Sequence, residues 1–240
     1  MTIRLDKWIC DNLNKTRKEA KDYIKANNIV VDGVRIKDFD YKFDPYASEI
    51  TVNGKSITSK PEYTYIILNK PAGYVSANTD NVHKTVFEFL PKEYKDYSIV
   101  GRLDIDTEGL MLITNDGALN HKITSPKHHF DKTYFIRTDS PCNEDDVKKV
   151  ETGFDYGEEK PSLPGRLNIL STEENDCTAE ITIHEGKFHQ VKKMMHTLGH
   201  EVIYLKRLTM GPITLPESLN IGEWRMLNEE EIKSIEEYDV

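Results

Sequence analysis

Ser98-Ile99-Val100-Gly101-Arg102-Leu103-Asp104-Ile105-Asp106-Thr107-Glu108-Gly109-Leu110-Met111-Leu112-Ile113 sets one arginine and three carboxylates between two apolar runs. The flanks, Ser98 to Val100 and Leu110 to Ile113, read as strands, so the charged residues fall in a turn held by a rigid frame, a common location for reactive side chains. Upstream, Tyr65-Ile66-Ile67-Leu68 reads as a buried strand stopped by the turn Asn69-Lys70-Pro71-Ala72-Gly73, and Thr85 to Leu90 as a short helix. Downstream, Asp116 can cap a helix with Ala118, Leu119 and Ile123 on one face. Lys132 to Ile136, Leu167 to Leu170, Thr178 to Ile183 and Val202 to Leu205 read as strands, and Asn143 can cap a helix through Val150. Glu185 to Gln190 turns into a helix ending at Gly199, and the acidic run Glu229 to Glu237 reads as a terminal helix. These elements do not alternate as regular βαβ units, so the body is α+β, with a largely antiparallel mixed sheet flanked by short helices.

A smaller α/β module precedes it. Ile3, Leu5, Trp8, Ile9 and Leu13 recur at helical spacing, and Thr16-Arg17-Lys18-Glu19 is a capping box for a helix to about Ala26. That helix would turn Ala20, Tyr23 and Ile24 inward and Arg17, Lys18, Lys21 and Lys25 outward. Asp32-Gly33 and Asn53-Gly54, each between short apolar runs, predict two hairpins. Thr58 to Glu62 is polar and contains a proline, which divides the chain into residues 1–60 and 61–240.

The chain has 240 residues, a net charge of -9 and three cysteines, Cys10, Cys142 and Cys177, too scattered for a disulfide framework or a zinc knuckle. The N-terminus lacks a signal-like apolar core and no run is long enough to span a membrane, so the expected location is the cytoplasm. The acidic average hides local basic faces. Residues 1–60 carry 12 Lys/Arg against 9 Asp/Glu, residues 186–207 carry 5 against 1, and residues 216–240 carry 2 against 8. Such a distribution suits selective binding of a polyanion.

Several chemistries fail on spacing. Asp104, Asp106 and Glu108 do not continue into a calcium loop, because Asn115 stands where the last glutamate belongs. His184 and His189 are one residue too far apart for a zinc helix and have Gly186 between them. His128-His129 fits a structural or RNA-contacting role better than ligation. There is no Gly-x-Ser-x-Gly, Walker or Gly-x-Gly-x-x-Gly pattern. One carboxylate beside an arginine, a strand tyrosine and a basic patch are left.

Two resemblances give these residues an order. Arg4-Leu5-Asp6-Lys7, Thr16-Arg17-Lys18-Glu19-Ala20, Ile24 and Val30-Val31-Asp32-Gly33 resemble the S-four RNA-binding domain. That resemblance implies RNA contacts by Arg4, Lys7, Arg17, Lys18, Lys21 and Lys25. Lys70-Pro71-Ala72-Gly73-Tyr74-Val75, Gly101 to Leu110, Lys132-Thr133-Tyr134 and Glu185-Gly186-Lys187-Phe188-His189-Gln190-Val191-Lys192-Lys193-Met194 resemble, in order, the motifs of RsuA-type bacterial rRNA pseudouridine synthases. Together the two likenesses cover nearly the whole chain.

The resemblance implies that Asp104 is the reactive carboxylate, Lys192 its cationic partner, Tyr134 the residue stacking on uracil, and Arg102 the holder of the flipped-out nucleotide's place. It also implies that Lys187, His189, Gln190 and Lys193 contact RNA. Asp106 and Glu108 read as turn or cap residues. The implied isomerisation is redox-neutral, so no cofactor or metal is expected. The expected partner is rRNA, with 16S rRNA or a small-subunit assembly intermediate preferred and 23S rRNA the alternative, and the protein is expected to act as a monomer. The competing classes are a non-catalytic RNA-binding assembly factor and a metal-dependent phosphodiesterase using Asp104, Asp106 and Glu108. Ile123 to His129, closely followed by Lys132-Thr133-Tyr134, resembles the small-subunit enzyme, and the short acidic ending lacks the basic tail of several large-subunit enzymes.

Overall fold

The computed structural model describes residues 2–59, 61–125, 130–173 and 176–238. The chain folds as two compact units, Met1–Glu62 and Tyr63–Val240. Among the described residues no helix is long and apolar enough to cross a membrane.

The first unit begins with β1 (Ile3–Arg4), α1 (Leu5–Leu13) and α2 (Arg17–Ala26). The expected helix from Ile3 therefore starts two residues late. Arg4 provides no side-chain cap, and the first free helical amides, Leu5 N and Asp6 N, donate instead to Tyr41 O and Phe39 O at 2.8 and 2.9 Å. Ile3 and Arg4 pair with β4 (Lys42–Phe43), a tertiary contact that helical periodicity does not reveal. The Thr16–Glu19 capping box is formed at the head of α2. β2 (Ile29–Val31), β3 (Val34–Ile36), β5 (Ile50–Val52) and β6 (Lys55–Ser56) make an antiparallel sheet in the order β3-β2-β5-β6. Asp32-Gly33 and Asn53-Gly54 have positive φ at both positions, as tight hairpin turns matching the strand twist require. Leu5, Trp8, Ile9, Ala20 and Ile24 close over Ile29, Val31, Ile50 and Val52.

In the second unit β7 (Tyr65–Lys70), β8 (Ser98–Val100), β9 (Glu108–Thr114), α3 (Gly117–Thr124) and β10 (Lys132–Thr138) come first. They are followed by α4 (Glu144–Thr152), β11 (Arg166–Glu173), β12 (Asp176–Ile183), α5 (Gln190–Leu198) and β13 (Val202–Met210), then β14 (Ile213–Thr214), β15 (Trp224–Met226) and α6 (Glu229–Glu236). The sheet runs β11-β12-β10-β13-β9-β7-β15, with β14 on β13 and β8 on β9, and its only parallel pair among these is β13 with β9. Apolar layers cover both faces. Ile66, Leu68, Met111 and Ile113 enter one core, while Tyr65, Ile67, Leu110 and Leu112 enter the other, which is why these two strands read as continuous apolar runs.

Several boundaries differ from the sequence reading, among them that of β7, which continues through Asn69 and Lys70 where a turn is expected. β13 continues past Leu205 through Lys206 and Arg207, charged residues that fit poorly with a buried strand. β9 starts at Glu108, so Glu108 and Gly109 are strand residues rather than turn residues. Of the expected apolar face of α3, Leu119 and Ile123 are buried while Ala118 is exposed. The His128-His129 pair and part of the Ile123 to His129 stretch lie outside the described residues.

Candidate active site

β9 positions the charged turn. One edge of β9 pairs with β7, while the opposite edge is shared: β13 holds Glu108 and Gly109, and β8 holds Leu112 to Thr114. Residues 101–107 leave the sheet where that edge passes from one neighbour to the other. Gly109 is required at the junction. Its φ is +102°, and a Cβ there would lie 2.3 Å from Arg207 O.

Lys70 holds the turn from beneath. Its fully buried ammonium donates to Pro71 O, Asp104 O, Ile105 O and Thr107 O at 3.0, 3.0, 3.3 and 2.8 Å. Burial pushes the Lys70 ammonium down to about 8, against the upward pull of Asp106, Asp104 and Glu108. Ser76 Oγ clasps the next peptide, accepting from Leu103 N at 3.1 Å and donating to Leu103 O at 2.6 Å. With its backbone tied this way, the Asp104 carboxylate is directed by the frame rather than by its own partners.

The Asp104 side chain retains 26% exposure, with His189 Nε2 at 3.4 Å and Lys192 Nζ at 3.7 Å. The expected Asp104–Lys192 pair is therefore the longer of two. Lys192 Nζ lies 2.6 and 2.8 Å from the Asp106 oxygens. Burial would raise the Asp106 carboxyl, but the Lys192 hydrogen bond and charge outweigh it and hold the group below its ordinary value. Asp106 is thus an anchor for Lys192 rather than a simple turn residue. Glu108 instead accepts from the Tyr204 hydroxyl at 2.7 Å, and burial followed by this carboxylate raises the Tyr204 phenol. With Asp106 on Lys192 and Glu108 on Tyr204, the three carboxylates do not converge as a phosphodiesterase metal site requires.

Asp104, Arg102, Tyr134, Lys192 and Arg207 line a recess of about 90 Å³. A wider groove of about 1000 Å³ shares Arg102, Asp104 and Lys192 and extends past Phe188 and Thr124. Tyr134 comes from the middle of β10 and is 7% exposed. A register shift between Thr133 and Tyr134 brings Arg207 opposite Tyr134 across β10 and β13. Neither Lys70 nor Arg207 was among the sequence candidates. Lys70 belongs to the quoted Lys-Pro-Ala-Gly motif and Arg207 to the basic segment 186–207, but only the strand pairing brings them to Asp104.

The loop before α5 contains two kinds of residue. His189 adopts φ 54°, which turns its ring toward Asp104, while Phe188 stacks on that ring at 3.8 Å and is 73% exposed. Gln190, expected to meet RNA, is 3% exposed. Its side chain accepts from Lys187 N at 3.1 Å and donates to Glu185 Oε2 at 2.8 Å, closing the loop from inside. Lys187 is 3.0 Å from Glu185 Oε1, and Lys193 pairs with Glu158 beneath the Phe188 ring.

In the first unit, Arg4 forks onto Asp6 at 2.8 and 3.0 Å, and Lys7 pairs with Asp11 at 2.7 Å. Lys21 rests its ammonium 4.5 Å from the Phe39 ring centre. Arg17, Lys18 and Lys25 are exposed along α2, with no carboxylate within 4 Å among the described residues.

Residues 64–197 match the RNA pseudouridylate synthase family, and residues 3–45 match the S4 domain. The chain belongs to the RsuA-type pseudouridine synthases. This synthase is 41% identical to the ribosomal small subunit pseudouridine synthase A of Vibrio cholerae, over 97% of this chain and 99% of the relative. It is 39% identical to an uncharacterized RNA pseudouridine synthase of Bacillus subtilis, YtzG, over 98% and 99%. A solved pseudouridylate synthase crystal structure aligns with a TM-score of 0.68 and 36% identity, over 97% of this chain and 99% of that one. The synthase is accordingly an isomerase of RNA uridines.

Proposed function

We propose that this synthase converts one uridine of 16S rRNA to pseudouridine, within a folded fragment or a small-subunit assembly intermediate. Its similarity over nearly full length to enzymes described as ribosomal small subunit pseudouridine synthase A supports that substrate. An acidic protein with a few local basic faces is suited to reading RNA shape rather than a long sequence.

The observation that carries the chemistry is the recess lined by Asp104, Tyr134 and exposed Arg102. Arg102 holds the place of the flipped nucleotide and Tyr134 stacks on the uracil ring, which gives the glycosidic bond access to Asp104. Asp104 acts on the sugar, attacking C1′ or taking the C2′ proton. By either route the C1′–N1 bond breaks with its electron pair on uracil. The base turns within the recess and rejoins through C5 as C1′ releases Asp104 or Asp104 returns the C2′ proton, so no external nucleophile or redox partner is consumed.

Purified protein incubated with separate 16S and 23S substrates, followed by carbodiimide mapping, should place one new pseudouridine in 16S. A product only in 23S overturns the substrate choice. Asp104→Asn should fold and bind RNA, yet lose more than ~10⁴-fold in rate, as when a reactive group is removed. Near-normal tritium release from labelled uridine by that variant overturns the role of Asp104.

A further inference from the structure

Arg207 is the buried charge that the mechanism above leaves unused. It is 1% exposed, its Nε donates to Leu110 O at 2.7 Å, and it lines the recess with Asp104 and Tyr134. Its Nη2 is buried without a hydrogen-bond partner, and no carboxylate lies within 4 Å of the guanidinium among the described residues. Burial lowers its pKa, and nearby Tyr134 acts in the opposite direction without outweighing it. Arginine nevertheless keeps its proton in proteins, so a full charge is held away from water with no anion to balance it.

Such an arrangement is costly unless an opposite charge arrives. Holding Leu110 O needs only Nε, so a purely structural role accounts for neither the free Nη2 nor the charge. On the proposed function above, an anion forms in this recess: when C1′–N1 breaks, uracil leaves with the electron pair, and the negative charge spreads onto its carbonyl oxygens. We propose that Arg207 receives that anion, with Nη2 donating a hydrogen bond to a uracil carbonyl oxygen while the fixed charge balances the ring. The anion keeps its pair until C5 bonds to C1′, either displacing the Asp104 carboxylate from C1′ or, where Asp104 has taken the C2′ proton, adding to the C1′–C2′ double bond as Asp104 returns that proton to C2′. The C5 proton then leaves and N1 is protonated, so the sum is an isomerisation. Fixed donors facing charge that appears only during reaction are effective because they need no rearrangement when it forms.

The test compares RNA carrying uridine with RNA carrying 5-fluorouridine at the modified position, following loss of the N-glycoside in single turnovers. Fluorine withdraws electrons and stabilises the same anion, so it should replace part of the help lost with the arginine. Arg207→Met should bind RNA within about twofold of the unaltered protein and lose ~10²- to 10³-fold on uridine, the range for removing one such donor. On 5-fluorouridine the loss should shrink at least ~10-fold, and Arg207→Lys, which keeps the charge, should lose less on both. Equal losses on the two substrates, or no loss, overturn the proposal.

If the variants do not fold, the unaltered protein decides. Its rate should differ by less than about threefold between the two substrates when the leaving charge is already met, and a steep acceleration by fluorine overturns the proposal. Pseudouridine formation without this pattern removes Arg207 from the mechanism and leaves the proposed function standing. No pseudouridine on any rRNA removes both.

Discussion

Gly109 shows how one missing side chain supports the site. A Cβ at this position would meet Arg207 O at 2.3 Å, Arg207 N at 2.8 Å and Lys206 Cγ at 2.9 Å, and two of those atoms belong to a sheet backbone that cannot rotate away. Gly73 is the useful comparison, since its φ of +88° is as unfavourable for other residues but its surroundings are open. Gly73→Ala should cost about 1 kcal/mol from backbone strain, and Gly109→Ala about 3 kcal/mol or more, because the clash must separate β9 from β13. Urea unfolding of both variants measures the difference. Equal costs would mean that the two strands part without penalty. The same separation would displace Arg207 from Tyr134, so activity in Gly109→Ala should fall further than stability alone explains.

At the scale of the element, α2 separates the basic residues of the first unit by availability. Its N-terminal amides and macrodipole favour an anion, and Arg17 and Lys18 sit there exposed. Arg4 differs: the Asp6 hydrogen bond raises its guanidinium pKa, and the same contact lowers the buried Asp6 carboxyl. The double variant Arg17→Gln, Lys18→Gln should reduce the log-log salt slope of RNA binding by about 1.4 to 1.8, from roughly 0.7 to 0.9 per phosphate contact. Arg4→Gln should leave the slope nearly unchanged. Titrations at several salt concentrations check both, and an unaltered slope in the double variant would move the RNA contact away from α2.

For the whole molecule, two buried lysines set the pH dependence of stability. Burial holds Lys70 at about 8, and burial together with Arg207 holds Lys132 at about 8, against an ordinary value of 10.5. As pH rises past about 8 the native lysines release protons that the unfolded chain still binds, so stability increases with pH in that range. Cys142 acts in the opposite sense. Burial, with Cys177 beside it, pushes its thiol up to about 12, so above its ordinary 9.0 the unfolded chain is the form that loses the proton. The thermal midpoint should therefore rise from about pH 7.5 to 9 and flatten beyond it, with a smaller rise in Lys132→Met. A midpoint that falls across this window, or a variant with the same rise, would contradict these lysine environments.

The sequence by itself determined what depends on neighbours along the chain. Thr16–Glu19 makes its capping box through a three-residue reach, Asp32-Gly33 and Asn53-Gly54 turn because those residues accept positive φ, and apolar runs bounded by turn residues mark β7 and the start of β13. The likeness of the ordered motifs to a family placed Asp104, Tyr134 and Lys192 in one site without showing their distances. Tertiary structure decided the rest, because the partners are far apart in sequence. Lys192 reaches Asp106 across 86 residues, Lys70 finds three of its four carbonyls 34 to 37 residues away, and Arg207 meets Leu110 across 97. Hydrophobic periodicity also misreads Lys206 and Arg207, since it treats charge as exposure. The parallel pairing of β13 with β9 buries the Arg207 guanidinium instead, in the lining of the recess that also holds Asp104 and Tyr134.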